Sequence, residues 1–220
     1  MKKGLLAILT AATLAVGGGV FVASGTAFAY TICNSTINGP VTLTGPVVVP
    51  KGANCNLQTV TVTGSVQVQS GGTLVIGSGS HIEGSVQSNR PGSNAGNPSA
   101  TDSITSYSIV LCTSTIDGPV QISDAPAAVV IGASGCGSGD TINSSGTNGS
   151  TGVSLTGNAG PTYLDNNTIT GSVGVSSNKL FTEISSNTIS GNLSCTANTP
   201  APTGGSNTVT GSKNAQCSAL

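Results

Sequence analysis

The stretch Thr168-Ile169-Thr170-Gly171-Ser172-Val173 decides the fold, because related copies recur along most of the chain. The shared pattern is threonine or histidine, isoleucine or valine, any residue, glycine, any residue, and valine or leucine. Complete or partial copies stand at residues 36–41, 62–66, 81–86, 115–120, 141–144, 168–173, 188–193 and 208–212. The copy at 141–144 has Ser144 in place of the glycine. The spacing fits a base period of about 20 residues with insertions, the signature of a repeat architecture.

Twenty residues are too few for a helix, a strand and two loops, but they suffice for one coil of a β-solenoid. Stretches such as Val66-Gln67-Val68-Gln69 alternate apolar and polar residues, which predicts short strands with one buried face. We therefore predict an all-β parallel β-helix of about eight coils, in which each coil buries its neighbours. A β-sandwich of short strands is the alternative, but it gives no reason for one hexapeptide to recur at this spacing.

Two further expectations concern the repeat itself. The glycine of each copy suits a turn with a left-handed backbone. Residues 33–41 and 112–120 are almost identical, which indicates a duplication of a larger unit. Between the two halves, residues 88–106 are rich in Asn, Ser, Gly and Pro, and we predict an inserted surface loop there.

Residues 1–29 read as a cleaved signal peptide. Lys2 and Lys3 precede an apolar stretch over residues 4–23, and Ala27-Phe28-Ala29 has the form of a cleavage site. A retained membrane anchor is the alternative, but the glycines at 17–19 and the cleavage site favour removal. We expect a secreted, extracellular protein, with a cell-wall association as an option. The single β-helix domain would then span residues 30–220.

The composition excludes several function classes. Only 6% of residues are charged, with six basic and seven acidic side chains and one histidine. Nucleic-acid binding needs clustered Lys and Arg, which are missing from this sequence. A chain so poor in charge also lacks the surface of a helical bundle. We expect no cofactor and no nucleic-acid partner.

The six cysteines are spaced for disulfides between neighbouring coils. The separations within the pairs Cys33–Cys55, Cys112–Cys136 and Cys195–Cys217 are 22, 24 and 22 residues, each close to one coil. One coil places the partners within disulfide reach, so we predict these three bonds in an exported protein. A metal site is disfavoured, because no C-x-x-C pair occurs and His81 is the sole histidine.

The Thr-Ile-x-Gly-x-Val units, the cysteine that follows the signal peptide and the Gly/Asn/Ser-rich C-terminal coil resemble secreted bacterial right-handed parallel β-helix proteins. That broad group has the pectate-lyase-like fold. The resemblance covers the mature chain but lies in the scaffold, without a catalytic motif. It implies a right-handed helix and leaves open both binding proteins and polysaccharide-active enzymes.

Glu83 and Asp117 are the candidate paired carboxylates. They share one position of the repeat, and stacking in adjacent coils would bring them to about 4.8 Å. That is near the carboxylate spacing of a retaining glycosidase, and it also suits weak cation binding. The same position elsewhere holds Asn, Thr or Ser, so a solvated polar column is the simpler interpretation.

Tyr107 and Tyr163 are the candidate aromatic binding residues, since both could flank one groove and stack on a sugar. Packing within the fold is the competing interpretation for each. Pairs such as Thr168 and Thr170 offer a partial threonine array that could order water, but His81 and the acids at 83 and 117 interrupt it.

We therefore expect a secreted structural, surface-associated or binding β-helix without catalysis. Its expected partner is a cell-wall or other extracellular polysaccharide. An extracellular lyase or glycoside hydrolase is the alternative.

Overall fold

The computed structural model describes residues 30–77, 79–95, 106–132, 136–144 and 150–220. The predicted signal peptide lies outside these residues. The described residues form strands and turns without an α-helix, so the all-β prediction is confirmed.

The first of two long parallel sheets, named face A, has nine strands. They are β1 (Thr31–Ile32), β3 (Val47–Val49), β5 (Val66–Val68), β8 (Val86–Asn89), β11 (Val120–Ser123), β14 (Thr151–Thr156), β17 (Ser172–Ser176), β20 (Leu193–Thr196) and β23 (Lys213–Ala215). They lie in chain order, each paired with the face A strand before it and the one after it.

The second sheet has fourteen strands and bends within β4 (Asn54–Val62). The first half of β4 pairs with face B, which comprises β6 (Thr73–Ile76), β9 (Tyr107–Leu111), β12 (Ala128–Ile131), β15 (Thr162–Asp165), β18 (Thr182–Ser185) and β21 (Thr203–Gly205). Its second half pairs with face C, which comprises β7 (His81–Ile82), β10 (Thr115–Ile116), β13 (Thr141–Asn143), β16 (Thr168–Thr170), β19 (Thr188–Ile189) and β22 (Thr208–Val209). The strand β2 (Thr36–Leu43) pairs along β4 over both faces.

The chain visits the three faces in a fixed order, which is consistent with a parallel β-helix. Strand β5 on face A is followed by β6 on face B, β7 on face C and then β8, which returns to face A. Val66 pairs with Val86, so one circuit here takes 20 residues. All pairings between these strands are parallel, which rules out the antiparallel sandwich.

The apparent duplication of residues 33–41 and 112–120 is wrong as a structural equivalence. Thr36 pairs with Asn56 at the face B end of β4, whereas Thr115 pairs with His81 on face C. The register instead places Thr42 in the column of Thr115, through Thr61 and His81. The two segments share their letters but differ in phase, because a nearby second copy at Thr42 fits face C better than the first.

The core lies between the three faces and is built from columns of like side chains. On face C, Ile82, Ile116, Ile142, Ile169 and Ile189 are each at most 1% exposed and lie in consecutive rungs. Each rung therefore covers the apolar side chains of the next, as expected for a solenoid.

Three disulfides join neighbouring rungs, and their pairs are those predicted from the spacing. The Cα–Cα distances are 5.3 Å for Cys33–Cys55, 5.0 Å for Cys112–Cys136 and 5.2 Å for Cys195–Cys217. Cys217 and Leu220 are buried at the C-terminal end of the core, so the last bond holds a segment that covers the final rung.

The insertion expected at residues 88–106 begins one strand later than predicted. Ser88 and Asn89 belong to β8, and residues 96–105 lie outside the described part of the chain. On its near side, Ala95 forms an antiparallel bridge with Tyr107. Ala95, Tyr107, Val110 and Val130 form a second apolar cluster on the outer side of face B. The insertion therefore contributes to a buried layer on that face.

The repeat glycines are explained by stacking and not, in most copies, by a left-handed backbone. Of the seven glycines in the copies, only Gly39 and Gly171 have positive φ. A Cβ atom on Gly84 would lie 2.7 Å from the backbone carbon of Gly64, and one on Gly191 would lie 2.6 Å from that of Gly171. At this corner successive rungs approach too closely for any side chain.

Two buried columns of asparagine support the other corners. Asn167, Asn187 and Asn207 form the first column, between faces B and C. The Oδ1 atom of Asn187 accepts the backbone N–H and an Nδ2–H of Asn167, each at 3.0 Å. The Nδ2 atom of Asn187 donates to the carbonyl of Leu164 at 2.7 Å. The column thus satisfies buried backbone groups that the turns would otherwise leave unpaired.

Asn158, Asn178 and Asn198 form the second column, between faces A and B, and it continues to Gln216. The residue before each asparagine from 167 onward in the two columns has positive φ. Those residues are Asn166, Ser177, Ser186, Ala197 and Ser206. The backbone therefore makes the same sharp turn in successive rungs.

Asp140 occupies an asparagine position in the first column. Its Oδ1 accepts the backbone N–H and the hydroxyl of Ser114, both at 2.7 Å, and its own N–H donates to Asn167 Oδ1 at 2.8 Å. Its Oδ2 is buried and, among the described residues, has no hydrogen-bond partner. Burial raises the pKa of Asp140 to about 6, despite the opposing hydrogen bonds from Ser114. The sequence interpretation of residues 135–140 as a simple turn did not predict this burial.

We expect Gly191→Ala to destabilise the protein by roughly 1–3 kcal/mol, because the added methyl group overlaps backbone atoms of Gly171 and Ser172. Gly174→Ala is the matched control, since its Cβ would meet nothing within 4 Å and its φ is not positive. Urea denaturation of both variants measures the difference. Equal midpoints would contradict the stacking explanation.

We expect Asp140→Asn to stabilise the protein at pH 7 by roughly 1–3 kcal/mol, since an amide needs no proton at this buried position. The pKa of Asp140 is raised above its ordinary 3.8. The unfolded chain therefore loses this proton first, and parental stability falls as pH rises from about 4 to about 6. The advantage of the variant should accordingly be small at pH 4 and complete above about pH 6.

Denaturation of parent and variant across this pH range tests the assignment. Other titrating groups are common to both proteins and cancel in the difference. An advantage that is constant with pH, or a less stable variant at pH 7, would contradict it.

Candidate functional site

The outer surface of face A is formed by uncharged polar side chains in two columns. Gln67, Gln87, Gln121 and Ser154 follow one another in register in the first. The second runs two residues further along each strand and contains Asn89, Ser123, Thr156, Ser176 and Thr196. The alternate residues of these strands, such as Val86 and Val120, point into the core and are 0% exposed. Strand alternation therefore directs every second side chain to this surface.

These columns line a groove of about 620 Å³ across the middle rungs of face A. Its polar lining residues are Gln67, Gln69, Ser70, Gln87, Ser88, Asn89, Gln121, Ser123, Ser154 and Thr156. Primary amides and hydroxyl groups each donate and accept hydrogen bonds, and the lining contains no ionisable side chain. Such a surface complements an uncharged ligand with many hydroxyl or amide groups.

Glu83 and Asp117 lie on face C, away from this groove. They follow the paired residues Ile82 and Ile116, so the predicted placement in adjacent rungs is observed. Asp117, however, is held by other partners: His81 Nε2 lies 2.6 Å from its Oδ2, and Asn143 Nδ2 donates to its Oδ1 at 3.1 Å. The hydrogen bond from His81, followed by that from Asn143, lowers the pKa of Asp117.

Face C also carries the threonine column expected from the sequence. Thr42, Thr61, Thr115, Thr141, Thr168, Thr188 and Thr208 share one column, with His81 between the second and the third. The His81–Asp117 pair thus interrupts the column on its outer surface, as the sequence indicated.

Tyr107 and Tyr163 do not flank one groove. Tyr107 is 1% exposed within the second apolar cluster, so its ring is covered by protein and cannot stack on a sugar. Tyr163 is partly exposed on face B, where its ring centroid lies 5.8 Å from that of Phe181. The sequence did not show which residues the insertion would cover, and this difference separates the two tyrosines.

A second carboxyl pair, Asp165 and Glu183, was missed by the sequence analysis. The backbone N–H of Ser185 donates to Asp165 Oδ1 at 2.9 Å, and the Ser185 hydroxyl donates to Glu183 Oε1 at 3.3 Å. Burial, followed by the negative charge of Glu183, raises the pKa of Asp165 to about 7. The one available signal was the 20-residue spacing of Tyr163 and Glu183, which pair in register.

The four predicted binding residues are therefore distributed over faces B and C and the apolar layer of face B. Among the described residues, no group of three or more His, Cys, Asp or Glu side chains is arranged to hold a metal ion. A helix long and apolar enough to cross a membrane is likewise absent from that part of the chain.

Comparison with known proteins identifies no relative: no family model, no curated protein and no solved structure matches this chain. Functional interpretation therefore rests on the surfaces described above.

Proposed function

We propose that this protein is a secreted, right-handed β-helix of about eight coils that binds extracellular polysaccharide and has no catalytic role. The neutral groove on face A carries this proposal. Its three aligned glutamines and the neighbouring hydroxyl groups offer repeated hydrogen-bond donors and acceptors along the axis. A polysaccharide presents hydroxyl groups repeatedly along its length, so one chain can contact several rungs at once.

Secretion and surface association are parts of the same proposal. Three disulfides are typical of proteins in oxidising compartments, and the sequence of residues 1–29 has the features of a signal peptide. The right-handed sense is supported by the usual handedness of parallel strand crossovers and by the resemblance to pectate-lyase-like proteins.

The groove lining offers hydrogen bonding without an ionisable acid or base, which favours binding over hydrolysis there. A polysaccharide-active enzyme is the second candidate, and one observation favours it. Asp165 has its pKa raised to about 7 beside Glu183, the kind of difference that separates a proton donor from a carboxylate. A search for released sugar in the binding experiment separates the two candidates.

We expect purified residues 30–220 to sediment with at least one insoluble polysaccharide among cellulose, chitin and isolated bacterial cell walls, without release of soluble sugar. The double variant Gln87→Ala/Gln121→Ala should bind about tenfold or more weakly, because it loses several hydrogen bonds of about 1 kcal/mol each. Both side chains are exposed, so the fold should be retained.

Thr168→Ala/Thr188→Ala is the matched control, since both residues are exposed on face C. Equal affinity of the two double variants would exclude the groove as the binding surface. Sugar release that Glu183→Gln abolishes would replace the binding proposal with the enzymatic one.

A further inference from the structure

An exposed aromatic patch, formed by Tyr163, Leu180 and Phe181, lies where face A turns into face B. Leu180 is 49% exposed and Phe181 is 42% exposed, which is unusual for large apolar side chains. Both residues belong to the turn between β17 and β18. The patch is thus an apolar surface on an otherwise polar exterior.

The rings of the patch are held in place by the fold. Tyr163 packs against the second apolar cluster, and Thr162 and Leu164 on either side of it are 0% exposed. Phe181 packs against it with an interplanar angle of 55°. This tilted arrangement is a favourable one for aromatic rings and leaves part of the Phe181 surface open.

Negative charge lies directly beside this patch. Glu183 is the register partner of Tyr163 on the next rung, and Ser185 links it to Asp165. Within the described parts of the chain, neither carboxyl group forms a salt bridge with a basic side chain. Since Asp165 is nearly buried, Glu183 is the carboxylate that an external cation would reach.

We propose that Tyr163, Phe181 and Glu183 form a second subsite, which binds the cationic sugar units of an amino-sugar polymer. This inference rests on the proposed polysaccharide-binding function and names one class of its ligand. A pyranose ring has an apolar C–H face that packs on an aromatic ring. Its ammonium group pairs with the Glu183 carboxylate and is also attracted to the aromatic faces.

The subsite is continuous with the groove along the chain. The hydroxyl of Thr156, which lines the groove, is hydrogen-bonded to that of Ser176 at 3.2 Å. Phe181 follows Ser176 after the turn that connects faces A and B. One polymer chain can therefore be held by neutral units in the groove and by a cationic unit around the corner.

Chitin and chitosan provide a matched pair of probes, because they share one backbone and differ in whether the amine is acetylated. We expect residues 30–220 to bind chitosan at least tenfold more tightly than chitin at pH 6 and low salt. Glu183→Gln and Phe181→Ala should each remove most of this preference while leaving chitin binding unchanged. Added salt should reduce the preference as well, since the ammonium–carboxylate pair is screened.

Tyr30→Ala is the control variant, because Tyr30 is 44% exposed but lies at the other end of the described chain. Equal binding of chitin and chitosan by the parent protein would overturn the subsite while leaving the groove proposal standing. So would a chitosan preference that Glu183→Gln and Phe181→Ala retain. Failure to bind any tested polysaccharide would overturn both proposals.

Discussion

The distance between neighbouring parallel strands, about 4.8 Å, is the constraint on which the rest of this structure depends. Each residue faces its counterpart in the rung before and the rung after, so one column must suit every rung that it crosses. Isoleucines pack on isoleucines, asparagines bond to asparagines, and glycines lie over glycines where the backbone leaves no room for a Cβ atom. The recurrence visible in the sequence is the direct result.

The same constraint separates the surfaces on which function depends. Alternate residues of a strand leave the core on one side only, so each face presents its own chemistry. Face A presents neutral amides and hydroxyl groups, face C presents threonines interrupted by the His81–Asp117 pair, and face B carries the aromatic patch. The three disulfides tie adjacent rungs together and do not contribute to any of these surfaces.

Several features followed from the sequence because they depend on periodicity alone. The absence of α-helix, the parallel stacking and the cysteine pairs all reflect a repeat near 20 residues. Other features did not follow, because they depend on contacts between rungs. The phase of the first copy was misread, since Thr36 and Thr42 both begin acceptable strands and only pairing with β4 distinguishes them. Asp140 resembled a turn residue until its burial among asparagines was visible.

The sequence by itself determined that the chain is an all-β repeat, which pairs of cysteines are one coil apart, and that charge is too sparse for nucleic-acid binding. The tertiary structure decided which side chains meet. It buried Tyr107 under the insertion, joined Asp117 to His81, and brought Tyr163, Phe181 and Glu183 together at one corner. The physical reason is that periodicity sets which residues point outward. Insertions of unequal length and local close approach set which outward residues remain exposed and which neighbours they contact.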